Sequence, residues 1–228
     1  FTLSKSHLLQ QELFRRFAEN EIRPLAREMD ETEQYNMELL AKLQRYGFFG
    51  IPYEKEYGGA GSDTLAYTLC MEEVSKQDAS TGITISVHTS LCCSCIHDFG
   101  TEEQKRKYLT PLINGSKIGC YGLTEPNAGS DAAGQQTVAV RDGDDYVITG
   151  SKVFTTNSGF ADTFVMFALT DRALGTKSMT AFIVERDTPG LTVSADIPRM
   201  GIRAASNCVV TYDHVRVPAS NMLGKEGQ

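Results

Sequence analysis

A glycine-rich run at residues 121–131, YGLTEPNAGSD, carries many of the groups in this chain that could contact a ligand. Its glycines free the backbone, Pro126 fixes one φ angle, and hydroxyl groups come from Tyr121, Thr124 and Ser130. A loop of this composition can press its main chain against a ligand and offer donors in several directions. Clusters of Gly, Asn, Pro and Ser also form ordinary turns. The run alone therefore indicates either a binding loop or a turn.

A second run, GSKVFTTNSG, follows at residues 150–159. It offers an aromatic ring at Phe154 and hydroxyl groups at Thr155 and Thr156. An aromatic side chain can stack on a flat ligand and keep water from one of its faces. The structural alternative is that Phe154 packs in a core and that Thr156 bonds to the backbone of its own strand.

Two carboxylates of the first run, Glu125 and Asp131, are candidates for a general base. A base must reach the proton it removes and needs a pKa raised by burial. Glu125 precedes Pro126, which favours a role as a hydrogen-bond acceptor in a turn instead. Three basic residues are candidates for contacts with phosphate groups or for structural ion pairs: Lys177, Arg199 and Arg203.

The first half of the chain is predicted to be helical. Leu9, Leu13, Phe14 and Phe17 form an apolar stripe at helical spacing, which indicates core packing, and Pro24 should kink or restart that helix. Further helices are predicted around 37–47, from a Ser62 or Asp63 cap through Val74, over 81–99, and from a capping box at 101–104 towards Leu109.

The pattern changes after Pro111 to short apolar segments separated by turns. Strands are predicted at 137–140, 146–149, 164–169, 179–184 and 208–212, with a hairpin turn at 142–145. The chain is therefore predicted to be α+β, with a helical domain at 1–117 and an antiparallel β-sandwich or barrel at 118–228. No βαβ alternation is present, which argues against a Rossmann-type nucleotide site.

Composition narrows the function further. The net charge of −7 argues against a nucleic-acid binder. The six cysteines lie in apolar surroundings, which indicates reduced thiols packed in a core rather than disulfides or a metal site. Cys92, Cys93 and Cys95 fit no common zinc spacing. No apolar stretch is expected to reach the ~20 residues that span a bilayer, and residues 1–20 do not resemble a signal peptide.

Taken in order, several separated motifs resemble the acyl-CoA dehydrogenase family over essentially the whole chain. They are the glycine loop at 52–61, the segment FGTEEQK at 99–105, the runs at 124–131 and 150–157, MGIR at 200–203, VRVP at 215–218 and NMLG at 221–224. The variant NAGSDAAG at 127–134 looks most like short-chain, butyryl-type members.

This resemblance implies oxidation of an acyl-CoA thioester to the trans-2-enoyl-CoA, with FAD as cofactor and an electron-transferring flavoprotein as electron acceptor. It implies that Phe154 flanks the flavin ring and that Thr156 faces its N5 atom, with Thr155 beside them. Tyr121, Leu123 and Thr124 match positions at the pyrimidine edge of the flavin. Gly129 and Ser130 match a turn near the cofactor phosphate, and Ser130 also approaches the acyl-CoA.

The family takes its glutamate base from a C-terminal helical domain that has no counterpart in these 228 residues. We therefore expect no catalytic base in this chain, an inactive fragment and weak FAD binding. The resemblance also implies a homo-oligomer, a tetramer in the intact parent, and a location in the bacterial cytoplasm or the mitochondrial matrix. Two alternatives stay open: a flavin oxidase or monooxygenase acting on a substrate without CoA, and a non-catalytic module that binds CoA or a flavoprotein.

Overall fold

The computed structural model describes residues 2–227 and divides into a helical half followed by a sheet. Within these described residues, eight α-helical segments precede the sheet: α1 Lys5–Phe17, α2 Arg23–Thr32, α3 Met37–Arg45, α4 Thr64–Gln77, α5 Ala79–Ser86, α6 Ser94–Phe99, α7 Glu102–Gln104 and α8 Thr110–Ile113. Wider π-helical turns join several of them, at Ala18–Ile22, Val87–Cys93 and Lys105–Leu109.

Side-chain caps set several of the helix starts. Asp63 caps α4 by accepting a hydrogen bond from the N–H of Ala66 at 2.8 Å, and it does so in place of Ser62. Thr101 and Gln104 form the predicted capping box at the start of α7. These local predictions are confirmed because a cap needs only neighbours three residues apart.

The first helix departs from its predicted packing. Leu9 and Leu13 are 63% and 57% exposed, so the prediction that they pack in the core is wrong, whereas Phe14 and Phe17 do contact the core. The residue spacing identifies an apolar face but not whether another element covers it. Pro24 lies in the first turn of α2, where the π-helical turn Ala18–Ile22 passes into the α-helix, so the predicted restart falls at this position.

The segment Ala79–Phe99 forms one continuous helical rod of 21 residues, with a mean hydropathy of 1.2 over its most apolar 18-residue window. The prediction that no apolar segment is long enough to cross a membrane is therefore wrong by length and composition. Inside the fold, 61% of its most apolar window is buried. The rod lies against the start of the sheet. A helix buried in a protein core can also be long and apolar enough to meet this criterion of length and composition.

In the part of the chain that the structure describes, eight strands form one sheet: β1 Gly119–Gly122, β2 Val138–Asp142, β3 Asp145–Thr156, β4 Thr163–Leu169, β5 Met179–Glu185, β6 Leu191–Val193, β7 Asn207–Pro218 and β8 Met222–Leu223. Their order is β6-β7-β3-β2-β4-β5-β8, and β1 pairs with β4. The predicted hairpin is confirmed as the turn between β2 and β3, where Gly143 has a φ of 63°.

The sheet is mostly antiparallel, as predicted, but β1 runs parallel to β4, with Gly119 opposite Thr163. Its partner lies some forty residues away, so no local turn signal announces it. Each of two clusters of buried apolar side chains spans both halves. The larger runs from Leu39 and Val74 in the helices to Phe164 and Val210 in the strands. The helical half and the sheet therefore share their core packing.

Candidate functional site

A cavity of about 210 Å³ opens where three elements meet. The rod Ala79–Phe99 forms one wall, β1 and the residues after it form the second, and the end of β3 forms the third. The lining residues are Val87, Leu91, Tyr121, Leu123, Thr124, Val153, Phe154 and Thr156. Five of the eight predicted cofactor-binding residues thus meet at one place, although they come from two separate runs of the sequence.

The two runs are held together at this cavity by a main-chain bond. The N–H of Val153 donates to the carbonyl oxygen of Thr124 at 2.8 Å. This bond joins the segment after β1 to β3, and Thr124 and Thr156 both line the cavity beside it. The site consequently has polar groups beside walls that are otherwise apolar.

Phe154 has a backbone conformation that few side chains adopt. Its φ is 55°, and the register of β3 against β7 shifts between Lys152 and Thr155. A bulky residue at positive φ costs of the order of 1 kcal/mol, and such residues concentrate at functional sites. The bulge leaves the Phe154 ring 59% exposed at the rim of the cavity. The alternative of a core phenylalanine is therefore excluded by its exposure.

Tyr121 supports the opposite wall. Its ring packs edge-on against Phe167 with centroids 5.3 Å apart. Burial raises the pKa of the Tyr121 hydroxyl to about 12, so the group stays a neutral phenol and can donate a hydrogen bond at neutral pH.

Glu125 lies beneath the loop in a buried ion pair with Lys152, with 2.7 Å between Oε1 and Nζ. Its carboxylate also accepts hydrogen bonds from the N–H groups of Gln136 at 2.6 Å and Thr137 at 3.1 Å. Burial alone would raise the pKa of Glu125, but these partners outweigh it and lower that pKa. A carboxylate with a lowered pKa and all its partners inside the fold is a structural acceptor, as favoured from the sequence, and not a base.

Lys152 is fully buried, and burial lowers the pKa of its ammonium group. The Nζ atom donates to Glu125, to the Gln135 side-chain oxygen at 2.9 Å and to the Leu123 carbonyl at 3.2 Å. All three ammonium hydrogens therefore have acceptors, which is the condition for burying such a group.

The remaining predicted residues lie outside the cavity. Gly129, Ser130 and Asp131 are exposed on the loop beyond it, and a Cβ atom added to Gly129 would meet no atom within 4 Å. Thr155 points into the core, where its hydroxyl has no hydrogen-bond partner within residues 2–227. The roles of these residues toward a cofactor stay predictions.

Two of the three basic candidates make structural contacts. Arg199 donates to the carbonyl oxygens of Arg203 and Ala205. Arg203 forms an ion pair with Glu33 at 2.9 Å and so joins the loop between β6 and β7 to the end of α2. Lys177 is exposed in the 3₁₀ segment Arg172–Ser178. Residues 2–227 contain no group of three or more His, Cys, Asp or Glu side chains that could hold a metal ion.

Val87, Leu91 and Val153 line the cavity but were not predicted. Val87 and Leu91 are four residues apart and therefore share a helix face. The sequence predicts a helix over 81–99 but no ligand contact on this face, where Leu91 is 38% exposed. The walls fit a flat heteroaromatic ring such as a flavin, since an exposed aromatic ring and apolar side chains can cover its faces while Thr124 and Thr156 meet its polar edge.

Two family models match the chain: "Acyl-CoA dehydrogenase, N-terminal domain" over residues 4–116 and "Acyl-CoA dehydrogenase, middle domain" over residues 120–215. The chain belongs to the acyl-CoA dehydrogenase family. The predicted resemblance is thereby confirmed. The boundary predicted between residues 117 and 118 lies in the interval between the two matches and stays a prediction.

Relatives of this family member include the short-chain specific acyl-CoA dehydrogenase of Clostridium acetobutylicum, 54% identical over 100% of this chain and 60% of the relative. A chain in the structure of the electron-transferring flavoprotein of Acidaminococcus fermentans matches with a TM-score of 0.97 and 43% identity, over 100% of this chain and 60% of that one. The acyl-CoA dehydrogenase of Bacillus anthracis complexed with FAD matches with a TM-score of 0.91 and 35% identity, over 99% and 39%. This chain thus spans about 60% of the length of the Clostridium relative.

Proposed function

We propose that this chain forms the FAD-binding part of a short-chain acyl-CoA dehydrogenase that oxidises an acyl-CoA to the trans-2-enoyl-CoA. The observation that carries the proposal is the convergence of both glycine-containing runs and the helical rod on one cavity, with Phe154 held at positive φ on its rim. The relatives named above support FAD as the cofactor and short acyl chains as substrates.

In this proposal each side chain at the cavity has a distinct task. When bound, FAD supplies the acceptor for the hydride that leaves the substrate β-carbon. Phe154 covers one face of the ring system and excludes water from it. The hydroxyl groups of Thr156 and Thr124, which line the cavity, would donate to the polar edge of the bound ring and would stabilise negative charge there.

The proton from the α-carbon requires a base that the described cavity does not contain. No carboxylate lines the cavity within residues 2–227, and Glu125 is neutralised by Lys152. We propose that the base lies outside these 228 residues, so that the isolated chain has no dehydrogenase turnover. The loss of a general base costs ~10²–10⁴-fold in rate.

The proposal also includes an electron-transferring flavoprotein as electron acceptor, supported by the match to a chain in such a structure. A homo-oligomer and a location in the bacterial cytoplasm or mitochondrial matrix belong to the same proposal. They rest on the family assignment alone.

The decisive test is a titration of the 228-residue chain with FAD, in which quenching of flavin fluorescence reports binding. We expect binding, and we expect Thr156→Val to raise the dissociation constant about tenfold through loss of one donor. Thr163→Val is the matched control, because Thr163 is buried in β4, outside the cavity, with no partner for its hydroxyl in the described part of the chain. A folded chain that leaves flavin fluorescence unchanged would refute the cofactor assignment, and turnover by this chain with butyryl-CoA and FAD would refute the assignment of the base.

A further inference from the structure

One backbone position, Gly119, connects all three walls of the cavity. It is the first residue of β1 and lies two residues before Tyr121. Its backbone N–H and its carbonyl oxygen are both hydrogen-bonded to side chains from the other two walls. The N–H bonds to His88 of the helical rod, and the carbonyl oxygen bonds to Asn157 at the end of β3. Each of these side chains directly follows a residue that lines the cavity, Val87 and Thr156 respectively.

His88 makes two bonds that fix its tautomer. The N–H of Gly119 donates to Nδ1 at 3.0 Å, so Nδ1 carries no proton. Nε2 then carries the ring proton and donates it to the carbonyl oxygen of Leu112 at 3.2 Å. The ring is fully buried and packs against Phe49 with centroids 4.6 Å apart. A neutral imidazole thus bonds the rod to β1 on one side and to α8 on the other.

Asn157 forms the second part of the connection. Its Nδ2 donates to the carbonyl oxygen of Gly119 at 3.3 Å and to the carbonyl oxygen of Thr84 at 2.9 Å. Its backbone has a φ of 71°, a conformation that asparagine tolerates better than most residues. The side chain is fully buried. Asn157 therefore bonds the end of β3 to both β1 and the rod.

Close packing leaves little freedom at this junction. A Cβ atom added to Gly119 would lie 2.4 Å from the sulfur of Cys92 in the rod. The rod and β1 therefore approach each other as closely as backbone and side chain allow. Since Val87 and Thr156 each neighbour a bonded residue in sequence, a shift at the junction would move the cavity walls with it.

We infer that His88 and Asn157 are positioning residues that clamp Gly119 and thereby set the distances between the three walls of the flavin cavity. This inference rests on the proposed function. Neither side chain lines the cavity, so their effect on a bound ring is transmitted through Val87, Thr156 and Tyr121. Sites in which such supporting residues are loosened lose the precise spacing that binding needs.

The test compares two variants that each keep one of the two histidine bonds. In His88→Asn the amide oxygen lies close to the former Nδ1 and can still accept from Gly119, whereas the bond to Leu112 is lost. In His88→Gln the longer amide reaches the former Nε2 position and can still donate to Leu112, whereas the bond to Gly119 is lost. Both are polar replacements at one buried site, so a purely structural role predicts similar effects.

Two readouts are measured on the 228-residue chain: hydrogen exchange of the Gly119 amide by NMR without ligand, and the dissociation constant for FAD. We expect His88→Gln to speed exchange of the Gly119 amide at least about tenfold and to weaken FAD binding about fivefold. His88→Asn should keep both values near those of the wild type. Equal exchange and equal FAD affinity in the two variants would overturn the inference.

Asn157→Gly keeps the inference testable if a histidine variant does not fold. Glycine adopts positive φ freely, so this change removes the side-chain bonds without straining the backbone. We expect FAD binding about fivefold weaker than in the wild type, and unchanged affinity would contradict the inference. If the wild-type chain binds no FAD, the proposed function fails, and Gly119 exchange in the three variants still decides whether the clamp exists.

Discussion

The buried His88 should make the stability of this chain depend on pH in a way that one substitution removes. Burial lowers the pKa of His88 to about 3 in the folded chain, from an ordinary value of 6.5. At pH values between these two pKa values, the unfolded chain therefore binds a proton at His88 that the folded chain excludes. Protonation favours the unfolded state, so the free energy of unfolding must fall as the pH drops below 6.5.

The size of this effect follows from the two pKa values. Each pH unit between them changes the free energy of unfolding by about 1.4 kcal/mol. Between pH 7 and pH 5 the loss attributable to His88 is therefore about 2 kcal/mol. This is a large share of the ~5–15 kcal/mol by which domains are usually stable.

The assay is urea denaturation of the wild type and of His88→Asn at several pH values from 7.5 to 4.5. The variant should be less stable than the wild type at pH 7. Between pH 7 and pH 5, however, the variant should lose about 2 kcal/mol less of its free energy of unfolding than the wild type loses. His97 also titrates. Burial lowers the pKa of His97, but the interactions with Asp98 and Glu54 outweigh burial and raise that pKa. His97 is present in both proteins, so its contribution cancels in the comparison.

Parallel pH profiles of wild type and variant would refute this reasoning, since they would mean that His88 takes up a proton as readily in the folded chain as in the unfolded one. His88→Gln provides the second comparison. It also lacks a titratable group, and it should show the same reduced dependence on pH as His88→Asn even though the two variants differ in which hydrogen bond they keep.

Three further perturbations test other parts of the site. Glu125→Gln should cost about 3–5 kcal/mol in urea denaturation, because it leaves Lys152 buried without its counterion, and adding Lys152→Met should recover much of that loss. Phe154→Ala should change the free energy of unfolding by less than about 0.5 kcal/mol at this exposed position while raising the dissociation constant for FAD about tenfold; equal affinity would refute the stacking role. Gly119→Ala should destabilise the fold by about 1–3 kcal/mol through its clash with Cys92. In a Cys92→Ala background the sulfur contact at 2.4 Å is gone and the Cβ contact at 2.9 Å remains, so the cost of Gly119→Ala should be smaller there, and an equal cost in both backgrounds would show that the sulfur clash is not the cause.

The parts of the fold that the sequence predicts correctly depend on neighbours within a few residues. The Asp63 cap, the capping box of Thr101 and Gln104 and the turn at Gly143 each have their complete physical cause inside one short segment. The family motifs extend this reach, because they carry contacts that no local rule contains. The motifs therefore predict residues on two sides of the cavity, at Tyr121, Leu123 and Thr124 and at Phe154 and Thr156.

The features that the sequence does not predict depend on which element covers each helix or strand face after folding. Leu9 and Leu91 both belong to helical apolar faces, yet Leu9 is exposed and Leu91 lines the cavity. Periodicity assigns a residue to a face and says nothing of the neighbour that covers it. The same holds for Thr155 and Thr156, adjacent hydroxyl residues in β3. Only the bulge before Thr155 decides that the first points into the core and the second into the cavity.

The Glu125–Lys152 pair explains why the two runs must occur together. Lys152 belongs to the second run, and its buried ammonium group finds its three acceptors at Leu123, Glu125 and Gln135, in the first run and just beyond it. Removing either partner leaves a buried charge, so neither run can change here without the other. The carboxylate that most resembles a catalytic group in the sequence therefore acts on structure: it fixes the loop against β3, and the hydroxyl and aromatic groups of the cavity are placed by that contact.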